Sequence, residues 1–379
     1  MLGASTPATR VFMGTGNRVL SLDLARGLAV AFMVFVHVQG AYATPAAEHS
    51  LFGMIIEFLG SPPAAPVFMA LMGVSAYYSR KQDLRAGIRR GLTIILLGYL
   101  LNLLRGVAPV ALARWCAPAA YAGIPAEVAD LGDALLALDI LHFAGLSLIA
   151  MAFIRHWQVD RRILLAFAAV IAGVSPWLWG MGCDLPVAGR LLDYLWGDRP
   201  AHEECIGNLV SFPFFPWFSF VLVGMALGDA MTRSGDARRT LLRAGAWGAG
   251  LMAVSLAVIW RDWAFQWNDY YHCRPGAVAF ITGFLLAWVA LCQLAIDRLP
   301  MNRFFTLCFD WSRYVNPIYI IQWVLVMWGA VFVFGFDRLG LGATAAMMVA
   351  WLVAADLINR GWQRLQERWA AVQPPKRAR

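Results

Sequence analysis

The sequence predicts an all-α, polytopic transmembrane helical bundle of about ten spans, with both termini cytoplasmic. Three observations predict it. Hydrophobic residues make up 60% of the 379 and charged residues only 14%, more apolar surface than a soluble core of this length can use. The apolar runs are continuous rather than alternating, which leaves the helix as the spanning element. The arginines and lysines recur in every second gap between those runs.

In order, the spans cover about 24–43, 62–79, 91–108, 134–154, 163–180, 208–228, 241–260, 276–296, 314–333 and 340–358. Before the first, Met1 to Asn17 lacks a basic region followed by an apolar run and a small-residue cleavage site, so this span is expected to be permanent. Pro62, Pro63 and Pro66 shape the start of the second, with Ser61 expected as its N-cap. Pro317 is expected to start or kink the ninth. The chain thus divides into one membrane domain, 1–358, and a basic cytoplasmic tail, 359–379, ending in Pro-Pro-Lys-Arg-Ala-Arg and expected to fray.

With a cytoplasmic N-terminus, 24 of the 31 basic residues lie inside, leaving Arg105, Arg114, Arg190, Arg199, Arg261, Arg274 and Arg338 outside. The net charge of +8 is therefore explained by the bilayer and calls for no nucleic acid. The outer segments differ. Residues 44–61 hold Glu48, His49 and Glu57 with no basic residue, and 181–207 hold Asp184, Asp193, Asp198, His202, Glu203 and Glu204. Such a face suits a polar acceptor or simple solvation. Cys183 and Cys205 bracket the longest outer loop and are candidates for a disulfide in an oxidising compartment. Together with His202 they lack zinc-ligand spacing, so no metal is expected.

Chemistry is expected first on the opening span. Arg26 and His37 are eleven residues apart, and eleven steps of ~100° return to within about 20° of the starting azimuth, so both lie on one stripe with Asp23 and Met33. Along the axis they attach roughly 16 Å apart, one near a membrane surface and one well inside. Ionisable groups at such depth are expensive and mark function; a hydrogen-bonded bundle histidine is the plain alternative for His37. His142 enters the fourth span to a comparable depth, with Asp139 one turn earlier able to orient its ring, or else serves as an interhelical hydrogen bond. Asp23 suits holding the Arg26 guanidinium or capping the helix.

These residues sit in segments that resemble a known family. Ser21-Leu-Asp-Leu-Ala-Arg-Gly27 leading to Phe35-Val-His37 resembles the first span of the membrane acyltransferases that include heparan-alpha-glucosaminide N-acetyltransferase and the bacterial acyltransferase-3 proteins. The latter share an arginine, ten residues and a histidine. Pro66-Val-Phe-Met-Ala-Leu-Met-Gly73, Asp139-Ile-Leu-His-Phe-Ala-Gly-Leu-Ser147, Phe212-Pro-Phe-Phe-Pro-Trp217 with Gly224, and Ser312-Arg-Tyr-Val-Asn-Pro-Ile-Tyr319 follow in collinear order over roughly 18–333. Gln322 departs from the pattern, standing where many relatives have a histidine.

The resemblance implies an acyl-CoA-dependent acyltransferase of a bacterial plasma (inner) membrane, moving an acetyl or other short acyl group from cytoplasmic acyl-CoA to a hydroxyl or amine of an extracytoplasmic acceptor, a glycan or glycoconjugate. Arg26, with Arg89 and Arg90 at the start of the third span, would then receive the phosphates of the coenzyme, and His37 would act as general base. The heparan enzyme has its catalytic histidine about a dozen residues beyond the position of His37, and His49 lies twelve residues on, so the two histidines compete for the role. A secondary transporter with Arg26, His37 and His142 along a substrate or proton path is the reading from another class, though no internal repeat supports it. A homo-oligomer is left open.

Overall fold

The computed structural model of the chain describes residues 18–78, 83–181, 185, 188–197, 210–267 and 270–372. The expected disulfide of Cys183 with Cys205, His202, and the last seven residues of the tail lie outside these. Setting aside four-residue turns, the helices are α1 (Leu20–Tyr42), α2 (Leu51–Gly60), α3 (Ala65–Tyr78), α4 (Leu84–Asn102), α5 (Ala108–Cys116), α6 (Leu131–Leu136), α7 (Ile140–His156), α8 (Arg161–Val174), α9 (Ala188–Trp196), α10 (Phe214–Ser234), α11 (Ala237–Arg261), α12 (Pro275–Arg298), α13 (Arg303–Arg313), α14 (Val315–Gly329) and α15 (Leu341–Val372). Eight of these helices or continuous helix pairs are long and apolar enough to cross a membrane. The shorter α7 and α8 fall on the remaining two predicted runs.

Short polar side chains set the helix starts. Asp160, Asp236 and Asn302 accept hydrogen bonds from the N–H groups of Arg162 (2.8 Å), Arg239 (2.8 Å) and Phe304 (3.0 Å) at the starts of α8, α11 and α13. Pro176 ends α8 in a single 3-10 turn, Ser175–Trp177. Apolar residues at four- and three-residue steps, Leu92, Leu96 and Leu100 on α4 and Leu103 just after it, are exposed and form a lipid-facing stripe. The opposite case is α10, buried on nearly all sides, with Trp217, Phe220, Leu222 and Met225 inaccessible.

The ends of the helices meet as the alternation of charge requires. On the basic face Arg26 donates to Ser75 Oγ (3.2 Å), Ser312 Oγ to Asp23 (3.0 Å) and Arg238 to Asp297 (2.8 Å), and Arg155 lies 4.1 Å over the Tyr77 ring. On the other face Thr44 N–H donates to Leu339 O (2.9 Å) and Trp217 Nε1–H to Tyr271 O (3.0 Å).

α3 and α10 touch backbone to backbone through two glycines of the quoted segments. A Cβ at Gly73 would strike the Val221 carbonyl oxygen, and one at Gly224 the carbonyl of Ala70. Gly224→Ala is therefore expected to lower stability by about 1–3 kcal/mol, because the helices can admit a methyl only by separating. A detergent-to-SDS unfolding titration checks this; a midpoint unchanged from the wild type would refute the close approach as a requirement.

Four expectations change. Residues 51–60, read as outer loop, form α2, which runs back along α1 until Gly60 lies against Val36. Its N-cap is Ser50, accepting from Gly53 N–H (3.1 Å). Ser61 caps the C-terminus of α2 rather than the N-terminus of α3, and Ser61–Ala64 form a buried turn between the two halves of a broken span. Such irregular backbone is tolerated at membrane depth only where protein or a cavity satisfies it. α13, inside a predicted inner loop, is a helix whose buried face carries Phe305, Cys308, Phe309 and Trp311. Lastly, α15 continues to Val372 instead of fraying at 359, with Arg360 held by Asp356 (2.7 Å) and Asp310 (3.4 Å).

Candidate functional site: a polar cavity within the bundle

The broken span opens space. A cavity of ≈ 580 Å³ runs from Met33 and Phe68 inside the bundle to Glu127, Asp133 and Asp337 at the face away from the arginines. α1 lines it with Met33, Val36, His37, Gly40 and Ala41, which is the i, i+3, i+4, i+7, i+8 stripe of one helix face. α2 and the turn after it add Glu57, Gly60, Ser61 and Ala64, and α14 adds Tyr319 and Trp323. Phe212, Tyr270, Tyr271 and Phe336 complete an aromatic wall. Burial raises the Tyr270 hydroxyl well above the ordinary tyrosine range, so it faces the cavity as a neutral phenol.

His37 is held on three sides. Gln322 Nε2 is 3.0 Å from its Nδ1, the indole of Trp323 is stacked on the ring at 4.0 Å between centroids, and Tyr319 meets it edge-on at 6.1 Å. Arg105 also lies over the Trp323 ring, its guanidinium carbon 4.4 Å from the ring centroid, a cation–π arrangement. Arg105 binds Asp139 at 2.8 Å and donates to Asn102 Oδ1 at 3.2 Å. Asp139 also accepts from the Tyr319 hydroxyl and from Ile140 N–H (2.6 Å). The result is one connected network with its charges paired and its hydrogen bonds supplied by three helices, the condition for keeping ions inside a bundle.

Arg105 sits in a π-helical turn, Leu103–Val107, inserted between α4 and α5. Such turns shift the register of a helix by one residue and occur at functional sites. Here the shift accompanies an arginine directed into the cavity and an Asn102 that donates to the carbonyls of Leu135 (3.0 Å) and Ala137 (2.7 Å), pinning the segment that leads to Asp139.

The predicted residues do not come together in one place. His37 and Asp139 line the cavity. His142 does not: its Nδ1 accepts from Asp139 N–H (3.2 Å) in a capping box, its ring packs on Tyr99 at 4.4 Å and directly over Gly98, and its buried Nε2 has no hydrogen-bond partner among the described residues. The expectation that the Asp139 carboxylate orients this ring is thus replaced by a backbone contact, since the carboxylate is taken by Arg105 and Tyr319. His49 is exposed after the short helix Pro45–Glu48 and is not a wall of the cavity. Arg26 and Asp23 lie on the basic face, where Asp23 accepts from Arg18 (2.5 Å) and Ser312 and stands 3.7 Å from Arg26. Arg89 and Arg90 are exposed on α4, and among the described residues no hydrogen bond or ion pair joins them to Arg26.

Arg105, Glu57, Tyr319 and Trp323 were not singled out from the sequence. Arg105 carried a signal, being an ionisable residue within an apolar run, the rule that selected His37. Tyr319 closes the last quoted segment.

A helical membrane bundle with a histidine and a paired Arg–Asp group in an internal polar cavity belongs to the class of multi-pass membrane proteins that carry chemistry between their spans. Residues 18–261 match the family described as heparan-alpha-glucosaminide N-acetyltransferase, catalytic, nearly two thirds of the chain, and the protein belongs to that family. It is a transmembrane acetyltransferase. A comparison with curated proteins finds no match. The family match contains Arg26, His37, Arg105 and Asp139, whereas Tyr319 and Trp323, which line the cavity, and Gln322, which holds His37, lie beyond it.

Proposed function

We propose that this protein takes an acetyl group from cytoplasmic acetyl-CoA and passes it to a hydroxyl or amine of an extracytoplasmic acceptor, a glycan or glycoconjugate, in the plasma membrane. The observation that carries this reading is the position of His37: of the three histidines predicted for catalysis, it alone lines the cavity. The basic face suits the donor. Arg18 and Arg26 stand beside Asp23 at the inner end of α1, on the helix that carries His37, and guanidinium groups suit the phosphates of coenzyme A. The mouth of the cavity, on the face away from these arginines, suits the acceptor. Glu57, Glu127, Asp133 and Asp337 offer acceptors for hydroxyl or ammonium hydrogens, and the aromatic wall offers faces for sugar rings.

The transporter reading needs Arg26, His37 and His142 along one path, and of these His37 lines the cavity while Arg26 and His142 are not among its walls. The test is CoA release from acetyl-CoA by purified protein, with and without a panel of amino sugars and neutral sugars. Acceptor-dependent release is expected, and His49→Ala should stay within about twofold of the wild type, as for a surface substitution. Counterflow of a solute in vesicles without acetyl-CoA binding would overturn the proposal.

A further inference from the structure

Gln322 is fully buried, and its amide nitrogen has two partners, His37 Nδ1 at 3.0 Å and the Tyr319 carbonyl oxygen at 3.2 Å. The second partner decides the first. A backbone carbonyl only accepts, so the end of the amide facing Tyr319 is the NH₂; turned over, the side chain would set oxygen against oxygen. That NH₂ therefore donates to His37 Nδ1, which must offer a lone pair. A neutral imidazole accepting at Nδ1 carries its proton on Nε2. Turning the ring over about Cβ–Cγ would bring Cδ2, which cannot accept, to the amide in place of Nδ1, so this hydrogen bond fixes the ring, and Nε2 is the nitrogen left for the cavity that His37 lines.

We infer that Gln322 is a positioning residue that fixes His37 as the Nε2–H tautomer, so that His37 meets the reacting carbonyl as a hydrogen-bond donor and not as a base. The arrangement is the reverse of the one a histidine base requires, in which an acceptor holds Nδ1–H and frees the Nε2 lone pair. It rests on the reading that acetyl-CoA brings its thioester to this cavity. The acceptor's nitrogen or oxygen forms a bond to the carbonyl carbon, the charge that develops on the carbonyl oxygen is held by Nε2–H, and the C–S bond breaks with its electron pair leaving on sulfur. The acceptor's proton goes to a carboxylate and from there to the thiolate, giving the acetylated acceptor and CoA. Glu57 is placed for that transfer: it lines the cavity one helical turn before Gly60, which lies against Val36, the neighbour of His37. Asp139 is not, since Arg105, Tyr319 and Ile140 already occupy its oxygens.

Nitrogen NMR of the full-length protein labelled with [¹⁵N]histidine, with the His37 signals assigned by their loss in His37→Gln, reads the tautomer without any ligand. The proton is expected on Nε2 in the wild type and on Nδ1 in Gln322→Glu, whose carboxylate accepts where the amide donated. Should Gln322→Glu not fold, Gln322→Met is expected to give a mixture of the two. An Nδ1–H signal in the wild type, or a tautomer indifferent to residue 322, overturns the inference. Isotope-edited infrared spectroscopy with [1-¹³C]acetyl-CoA then separates this from the functional reading. The bound carbonyl band is expected at lower frequency in the wild type and unshifted in Gln322→Glu. Bound acetyl-CoA with an unshifted carbonyl in the wild type overturns the donor role. An Nε2–H wild type that binds no acetyl-CoA upholds the tautomer lock and overturns the proposed function.

Discussion

His37→Ala is expected to lower acetyl transfer by ~10²–10⁴-fold in kcat/KM, the range for losing one proton-handling or oxyanion-holding group at a reacting carbonyl. The substitution also removes a ring stacked on Trp323, so the comparison must separate chemistry from packing. His142→Ala supplies it. That histidine is equally embedded in the bundle but packs between α4 and α7, away from the cavity. Its loss leaves a void over Gly98 and breaks the capping box, so it should lower thermal stability by about 1–2 kcal/mol while a folded sample keeps kcat/KM within a few-fold. His37→Ala should show the opposite pattern, a large kinetic loss with acetyl-CoA binding retained. If both variants lose activity in proportion to their loss of folded protein, the assignment of His37 to the reacting centre fails.

The contrast between these histidines measures how far the sequence could be read. Spans, their alternation and the residues of the first stripe follow from hydrophobic length, charge asymmetry and a period of 3.6, all local properties. Depth is legible in the same way, and it ranks His37 and His142 alike. What distinguishes them is which neighbour claims each ring nitrogen, Gln322 from 285 residues away for one and Asp139 N–H at three residues for the other. The local contact was open to prediction, since an aspartate three residues before a histidine at a helix start is capping-box spacing. The distant one was not, and neither was the break in the second span. The run 51–60 carries glutamate and two glycines with its apolar residues, so its composition is that of a loop, and its packing along α1 is what makes it a helix.

Arg105→Met is expected to destabilise the protein by about 3–5 kcal/mol, the penalty for leaving one partner of a buried ion pair uncompensated. Side-chain exposure is 14% for Arg105 and 12% for Asp139, so solvent offers little relief. Without the guanidinium, the Asp139 carboxylate keeps Tyr319 and the Ile140 N–H as its donors among the described residues. Arg105→Lys should fall between the two, because an ammonium can reach Asp139 but lacks the planar fork that also binds Asn102 and covers Trp323. The decisive comparison is the double variant Arg105→Met with Asp139→Asn. Its neutral amide can still accept from Tyr319, so about half or more of the lost stability should return, since removing both charges avoids the unpaired one. Unfolding by SDS titration measures stability in each case. Activity should not return with it. Trp323 in the double variant has lost the cation over its ring, and the stack that holds His37 is weakened. A double variant as unstable as Arg105→Met would show that Arg105 acts through packing alone, and one as active as the wild type would remove the Arg105–Trp323–His37 stack from the catalytic arrangement.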